Sequence, residues 1–195
     1  MSRLDKELDK PCTYGKFLLF FPFCIKEVQD ELLEKLKAQP RPDRLCGVEV
    51  PQNLNSLSYG TLDDLQTAAG SKDVVGEVCH ILLGLEPEKI KDEDVNKVFG
   101  FTNFVTRQLD NINRLFAAIK PHYSSEEKEA GIENLNFGSF GVLDWYAQRM
   151  HIANQNDVRD IAWVRIYQCM KNDNEKNEFE RRLSEVYNKR SKDSR

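Results

Sequence analysis

The chain has 195 residues, 40% of them hydrophobic and 31% charged, with a formal net charge of −4. That length holds one domain of ordinary size, or one with an appendage, and the mix supplies a core under a well-solvated surface, which excludes an intrinsically disordered chain. The acidic balance, with Lys and Arg interleaved among Asp and Glu, argues against nucleic-acid binding, whose affinity draws on a basic excess.

Residues 1–10 alternate charge with Leu4 and Leu8 and read as a frayed helical turn or as an arm that orders on a partner. Phe17-Leu-Leu-Phe-Phe-Pro-Phe-Cys24 follows. Pro22 lacks an N–H and biases Phe21 towards extended backbone, so this stretch is expected to be an extended aromatic arm rather than a continuous helix. The apolar run, residues 17–25, falls short of the roughly 20 residues a membrane span needs, and no membrane association is expected. Val28, Leu32, Leu33 and Leu36 recur at helical spacing and predict a helix over residues 25–38, stopped by Pro40 and Pro42. Leu45-Cys-Gly-Val-Glu-Val-Pro51 alternates like a short strand, with the aromatic run as its one evident partner. A minor two-stranded element is left open by that pattern.

From Ser58 onward the signals are helical. Thr61 with Asp64 resembles a capping box, and Gly70 ends the helix it opens. Ser71 is expected to start the next, along Val74, Val78, Ile81, Leu82 and Leu85. Asp92-Glu-Asp94 marks a further start, and the steps through Val98, Phe101, Val105, Leu109, Ile112 and Phe116 predict a long helix over residues 95–119, with a kink at Gly100. Ser124 with Glu127 forms a second capping box. Phe137-Gly-Ser-Phe-Gly141 reads as a tight turn that lets the following helix, with Leu143, Tyr146 and Met150, pack closely. Asn154 is expected to cap another helix with Val158, Ala162, Ile166 and Cys169 in one stripe. A last amphipathic helix is expected over residues 173–189, with a disordered tail at 191–195. The fold class expected is therefore all-α: an arm and first helix over residues 1–50, and a compact multi-helix domain over residues 51–190.

The five cysteines, Cys12, Cys24, Cys46, Cys79 and Cys169, show no CxxC spacing and no secretory signal is read before them, so free thiols in a reducing compartment are expected. The three histidines, His80, His122 and His151, are far apart in sequence. His80 and Cys79 are neighbours on a helix and point about 100° apart, which is not metal-ligand spacing. There is no GxSxG, and the Phe137–Gly141 glycines lack the Lys-Ser/Thr of a phosphate loop. Asp63-Asp64, Asp92-Glu93-Asp94 and Glu126-Glu127 all sit at predicted helix starts, where acids complement the helix dipole. Trp145 and Trp163 lie on strongly apolar helices and are expected in the core. No enzyme activity, metal or cofactor is expected. The residues that invite a function are Phe17, Phe20, Phe21 and Phe23. Four phenylalanines in seven residues cannot all face one small core, and exposed aromatic patches mark docking surfaces.

Leu57-Ser-Tyr-Gly-Thr-Leu-Asp-Asp-Leu-Gln-Thr-Ala68 resembles the start of tail-assembly-chaperone-like proteins of tailed bacteriophages. Residues 74–90, then Val98-Phe-Gly-Phe-Thr-Asn-Phe-Val105, look like the next two helices of that pattern. Phe137-Gly-Ser-Phe-Gly-Val-Leu-Asp-Trp-Tyr146 looks like its Gly-rich turn, and residues 158–171 like its closing segment. The likeness covers residues 50–190 and extends to small ring proteins between portal and tail in crAss-like phages. It implies a virion structural or assembly protein at the neck, made in the host bacterial cytoplasm, with portal, tail or ring proteins as partners and a homo-oligomeric ring as its assembly. Residues 1–50 depart from the chaperone pattern and suit a component that stays in the particle and grips a neighbour. The alternatives are a transient tail-assembly chaperone and a non-phage all-α intracellular adaptor.

Overall fold

The structure, a computed structural model, describes residues 12–193. The charged start at residues 1–10 and the last two residues of the tail lie outside the described residues. The chain is mostly helical with one small antiparallel sheet, which is the expected class. Its described residues divide into two units, 12–54 with 64–111, and 55–63 with 112–193. Each unit is built from two stretches of chain.

In the first unit, α1 is Tyr14–Phe20 and a 3-10 turn follows at Phe21–Phe23. This corrects the extended arm. Pro22 sits in the first turn of the 3-10 helix, where its missing N–H costs nothing, so the chain changes helix type at the proline instead of straightening. Helix α2, Lys26–Lys37, follows. Its last carbonyls, which have no partner within the helix, are taken up by α6, Val95–Ala117: Asn103 Nδ2 donates to the Leu36 oxygen at 2.7 Å and Arg107 to that of Lys37 at 3.2 Å.

The strand-like segment pairs with itself. β1, Arg44–Leu45, lies antiparallel to β2, Val48–Glu49, with Arg44 opposite Glu49. Cys46 and Gly47 turn the hairpin with φ of +50° and +82°, the two positive angles that a two-residue type I′ turn requires. The aromatic run is not its partner. Helix α6 runs unbroken through Gly100. A Cβ there would overlap the Pro40 carbonyl oxygen, so the glycine lets the loop after α2 lie against α6.

Helix α3, Tyr59–Ala68, is capped three residues earlier than expected, and helix α4, Val74–Leu83, two residues later. Ser58 Oγ accepts from the Thr61 N–H at 3.1 Å, and Asp73 accepts from the Gly76 N–H at 3.0 Å. The short α5, Pro87–Lys91, precedes α6, whose first turn is capped by Asp94 accepting from the Asn96 N–H at 2.8 Å. The core of this unit includes Leu45, Leu65, Cys79, Ile90, Val98 and Phe101, all nearly inaccessible.

The second unit holds α7, Ser125–Glu129, with the expected Ser124–Glu127 capping box. Next comes α8, Gly138–Met150. The predicted Gly-rich turn is the first turn of this helix, not a linker ahead of it. Asn154 caps a 3-10 helix, Gln155–Asp160, not an α-helix. Then α9 runs unbroken from Trp163 to Asp193, which merges the two helices expected there and makes residues 191–193 helical rather than disordered. The segment 55–63 is stitched to this unit by backbone. Tyr59 N donates to the Ile161 oxygen at 2.8 Å and Trp163 N to that of Leu57 at 3.1 Å. Arg159 adds an ion pair to Asp63 at 3.0 Å and a hydrogen bond to the Gly60 oxygen. Tyr59, Leu62, Tyr146, Val158, Trp163 and Ile166 are buried. Trp145 is only partly so.

Candidate interaction surface

The four phenylalanines singled out in the sequence do not act alike. α1 is opened by Thr13, whose hydroxyl accepts from the Lys16 N–H at 3.4 Å. It is tied to the start of α6 by a two-way backbone bridge: Tyr14 N donates to the Glu93 oxygen at 2.8 Å, and Val95 N to that of Cys12 at 2.9 Å. Gly15 lets α1 lie against the Lys91 carbonyl, 3.1 Å from where a Cβ would stand. Residues 14, 17 and 21 then fall on one helical face. Tyr14 is buried, and its ring meets Phe99 edge-on at 6.2 Å. Phe17 packs edge-on against Phe99 at 5.3 Å and against Phe21 at 4.8 Å. Gln29 Nε2 donates to the Phe21 oxygen at 2.9 Å and pins the 3-10 turn to α2.

With that face locked, Phe20 and Phe23 are turned outward, 66% and 86% exposed. Leu18, Leu19 and Ile25 are exposed with them and complete an apolar surface that the sequence reading had limited to phenylalanines. Phe17 and Phe21 are partly covered, and their rings pack in the support of that surface. Large exposed apolar side chains are the usual composition of a docking site.

A second exposed cluster lies in the other unit. Leu135, Phe137 and Phe140, around the start of α8, are all exposed. The sequence reading missed it by treating the two glycines as packing aids. Gly138, with φ of +57°, leaves room around its Cα, while a Cβ at Gly141 would stand only 2.7 Å from that of Phe137. Two aromatic residues inside a Gly-rich helix start were the available signal.

Several titratable groups are engaged in structure. The Glu93 carboxylate accepts from the Cys46 N–H at 2.6 Å, the Asp94 N–H at 3.0 Å and Lys97 Nζ at 3.2 Å. Burial pushes its pKa up, but the two backbone donors and Lys97 outweigh that and hold it below the usual carboxylate value. Cys79 is fully buried, and desolvation, with the Cys46 and Asp73 charges behind it, raises its thiol to about 12. It is a core residue, not a nucleophile. Tyr14 and Tyr59 are raised to about 12, again by burial first. Asp63 pairs with Arg159 inside α3 rather than at its start. No group of three or more His, Cys, Asp or Glu among the described residues could hold a metal ion. No helix there is long and apolar enough to cross a membrane.

An open depression of about 440 Å³ is lined by Gln39–Arg44, Asn96 and Lys97. Its cations are already committed in part: Arg41 donates to the Val50 oxygen at 2.9 Å and lies over the Phe104 ring at 5.9 Å, and Lys97 pairs with Glu93. The lining brings one carboxylate, Asp43, and no thiol, hydroxyl or imidazole. Such a set can hold polar groups. Compared with known proteins, the chain matches no family model, no curated protein and no solved structure.

Proposed function

We propose that this chain is a structural or assembly protein of a tailed bacteriophage, a helical ring or adaptor subunit at the portal–tail junction that acts through protein–protein contacts and not by catalysis. One observation carries the contact reading: Phe20 and Phe23 are held outward on an element whose opposite face is locked by Tyr14, Phe17 and Phe21. A pre-ordered apolar surface binds without first losing the freedom of its own backbone. The phage setting comes from the resemblance carried by residues 57–68, 74–90, 98–105, 137–146 and 158–171. Ring subunits make head-to-tail contacts between two different surfaces, and a second exposed cluster at Leu135, Phe137 and Phe140 provides a different one on the same chain.

The test must spare the support. Deleting the N-terminal segment would remove buried Tyr14 and the bridge to Val95, and would damage the fold itself. Phe20→Ser with Phe23→Ser leaves both in place. In phage carrying the doubly substituted gene, the variant is expected to keep its helical spectrum and melting temperature but to be missing from purified virions, where mass spectrometry finds the unaltered chain. Entry of the variant at the normal level would sink the docking reading. Absence of the unaltered chain from virions would favour the transient chaperone, and absence from infected cells as well as virions the non-phage adaptor.

A further inference from the structure

Helix α9 outlasts its own unit. Trp163 and Ile166 are buried, but no residue from Lys171 to Lys192 is, and only Asp173, Asn174, Glu178 and Arg181 are even partly covered. A helix exposed on all sides needs another source of stability. Part of it is local: Lys171–Glu175, Lys176–Glu180 and Arg181 between Glu178 and Glu185 are pairs three or four residues apart. Those pairs do not account for Phe179, Leu183, Val186 and Tyr187. At 100° per residue these four lie within one side of the helix, at steps of four, three and one, and all are exposed, Phe179 at 56% and Tyr187 at 61%.

The charge on either side of that seam is divided. Residues 173–180 hold four carboxylates and one lysine, a formal −3, whereas residues 181–192 hold five cations and one carboxylate, a formal +4. Two copies laid parallel would set acid against acid and base against base. Two copies laid antiparallel, crossing near Leu183, set the acidic stretch of each against the basic stretch of the other and bring Phe179 of one beside Val186 and Tyr187 of its partner. On the flank of the seam, Glu175 then falls near Lys189 of the second copy, twice by symmetry. Glu175 is 63% exposed in its 3.8 Å pair with Lys171, an arrangement weak enough to exchange.

We infer that the C-terminal half of α9 is a self-association surface, on which a second copy of this chain packs antiparallel about Leu183. The contact is two-fold and self-complementary, independent of the N-terminal surface and of the phage assignment. Sedimentation velocity of the full chain over a range of concentrations tests it. The unaltered chain is expected to form a dimer. Leu183→Asp weakens the dimer by at least about tenfold while leaving the helical spectrum intact, because the position is already solvent-facing. Glu175→Lys weakens it likewise, and adding Lys189→Glu restores it, a rescue that a parallel pair does not give. Phe20→Ser with Phe23→Ser leaves the dimer unchanged, which separates this surface from the other. A chain that stays monomeric throughout, with the seam then left to a partner of different sequence, would overturn the inference. So would a dimer indifferent to Leu183→Asp, or a failed charge-swap rescue.

Discussion

Glu93 shows how one side chain can secure a local fold. It accepts from two backbone N–H groups and a lysine, one of them in the turn of the hairpin and two at the start of α6. Its folded pKa lies below the ordinary 4.5, so its contribution is complete above that value and is lost as pH falls through the depressed one. Glu93→Gln is expected to cost about 1–2 kcal/mol at pH 7, the scale of hydrogen bonds to a charged group, and to flatten the acid limb of stability. Urea titrations of both proteins between neutral pH and pH 3 would show the gap closing. Gly100 gives a sign reversal. In an open helix Gly→Ala gains up to about 1 kcal/mol, but here the new methyl meets the Pro40 carbonyl oxygen, so Gly100→Ala should lower stability by about 1–3 kcal/mol. Cys46 gives the opposite case. Its φ of +50° costs an ordinary side chain about 1–2 kcal/mol, and Cys46→Gly should recover roughly 1 kcal/mol of that, read as a higher thermal midpoint.

At the scale of elements, the long apolar periodicities translated well. Helices expected over residues 25–38 and 95–119 are Lys26–Lys37 and Val95–Ala117. Such stripes persist because each repeat is buried against something, and burial outweighs any single residue's preference. Caps were less legible. Thr61 and Ser71 resembled caps, but Ser58 and Asp73 bring the oxygens that reach the free N–H groups. Asp173 is where the sequence places the start of the last helix. It instead lies within α9 and takes a two-point ion pair from Arg149 at 2.8 and 3.0 Å, which joins α8 to α9. The candidate surface was half legible. Sequence flagged Phe17, Phe20, Phe21 and Phe23 together, and nothing local distinguishes them. The deciding residue is Phe99, about eighty positions away, whose ring takes Phe17 and leaves Phe20 and Phe23 outside. The contribution of Leu135, Phe137 and Phe140 was hidden because glycine was read for its flexibility and the aromatics beside it were not weighed.

For the molecule as a whole, the organising fact is that the units interleave along the chain. Nine residues, 55–63, leave the first unit's sequence to complete the second. They bring two buried side chains, Tyr59 and Leu62, four backbone or side-chain ties to the Leu57–Asp63 stretch, and the only antiparallel bridge the second unit has among the described residues, Ser58 with Ala162. A fragment of residues 112–195 is therefore expected to lack a cooperative thermal transition by circular dichroism. Fusing residues 55–63 to its N-terminus through a flexible linker should restore one. A cooperative melt of the bare fragment would refute the dependence.

The same borrowed segment has a consequence for the living cell, where the chain is made in one direction. Residues 55–63 leave the ribosome about a hundred residues before Ile166, the buried α9 residue beyond the strand-like bridge that receives them. At roughly 5–20 residues per second, that is a delay of about 5–20 seconds. Through that interval the first unit can gather all of its own sequence while Tyr59 and Leu62 wait in water. The order of synthesis thus favours one unit completing before the other, and makes the short stretch between Leu54 and Asp64 the point at which nascent chains are most open to capture by a chaperone or by each other.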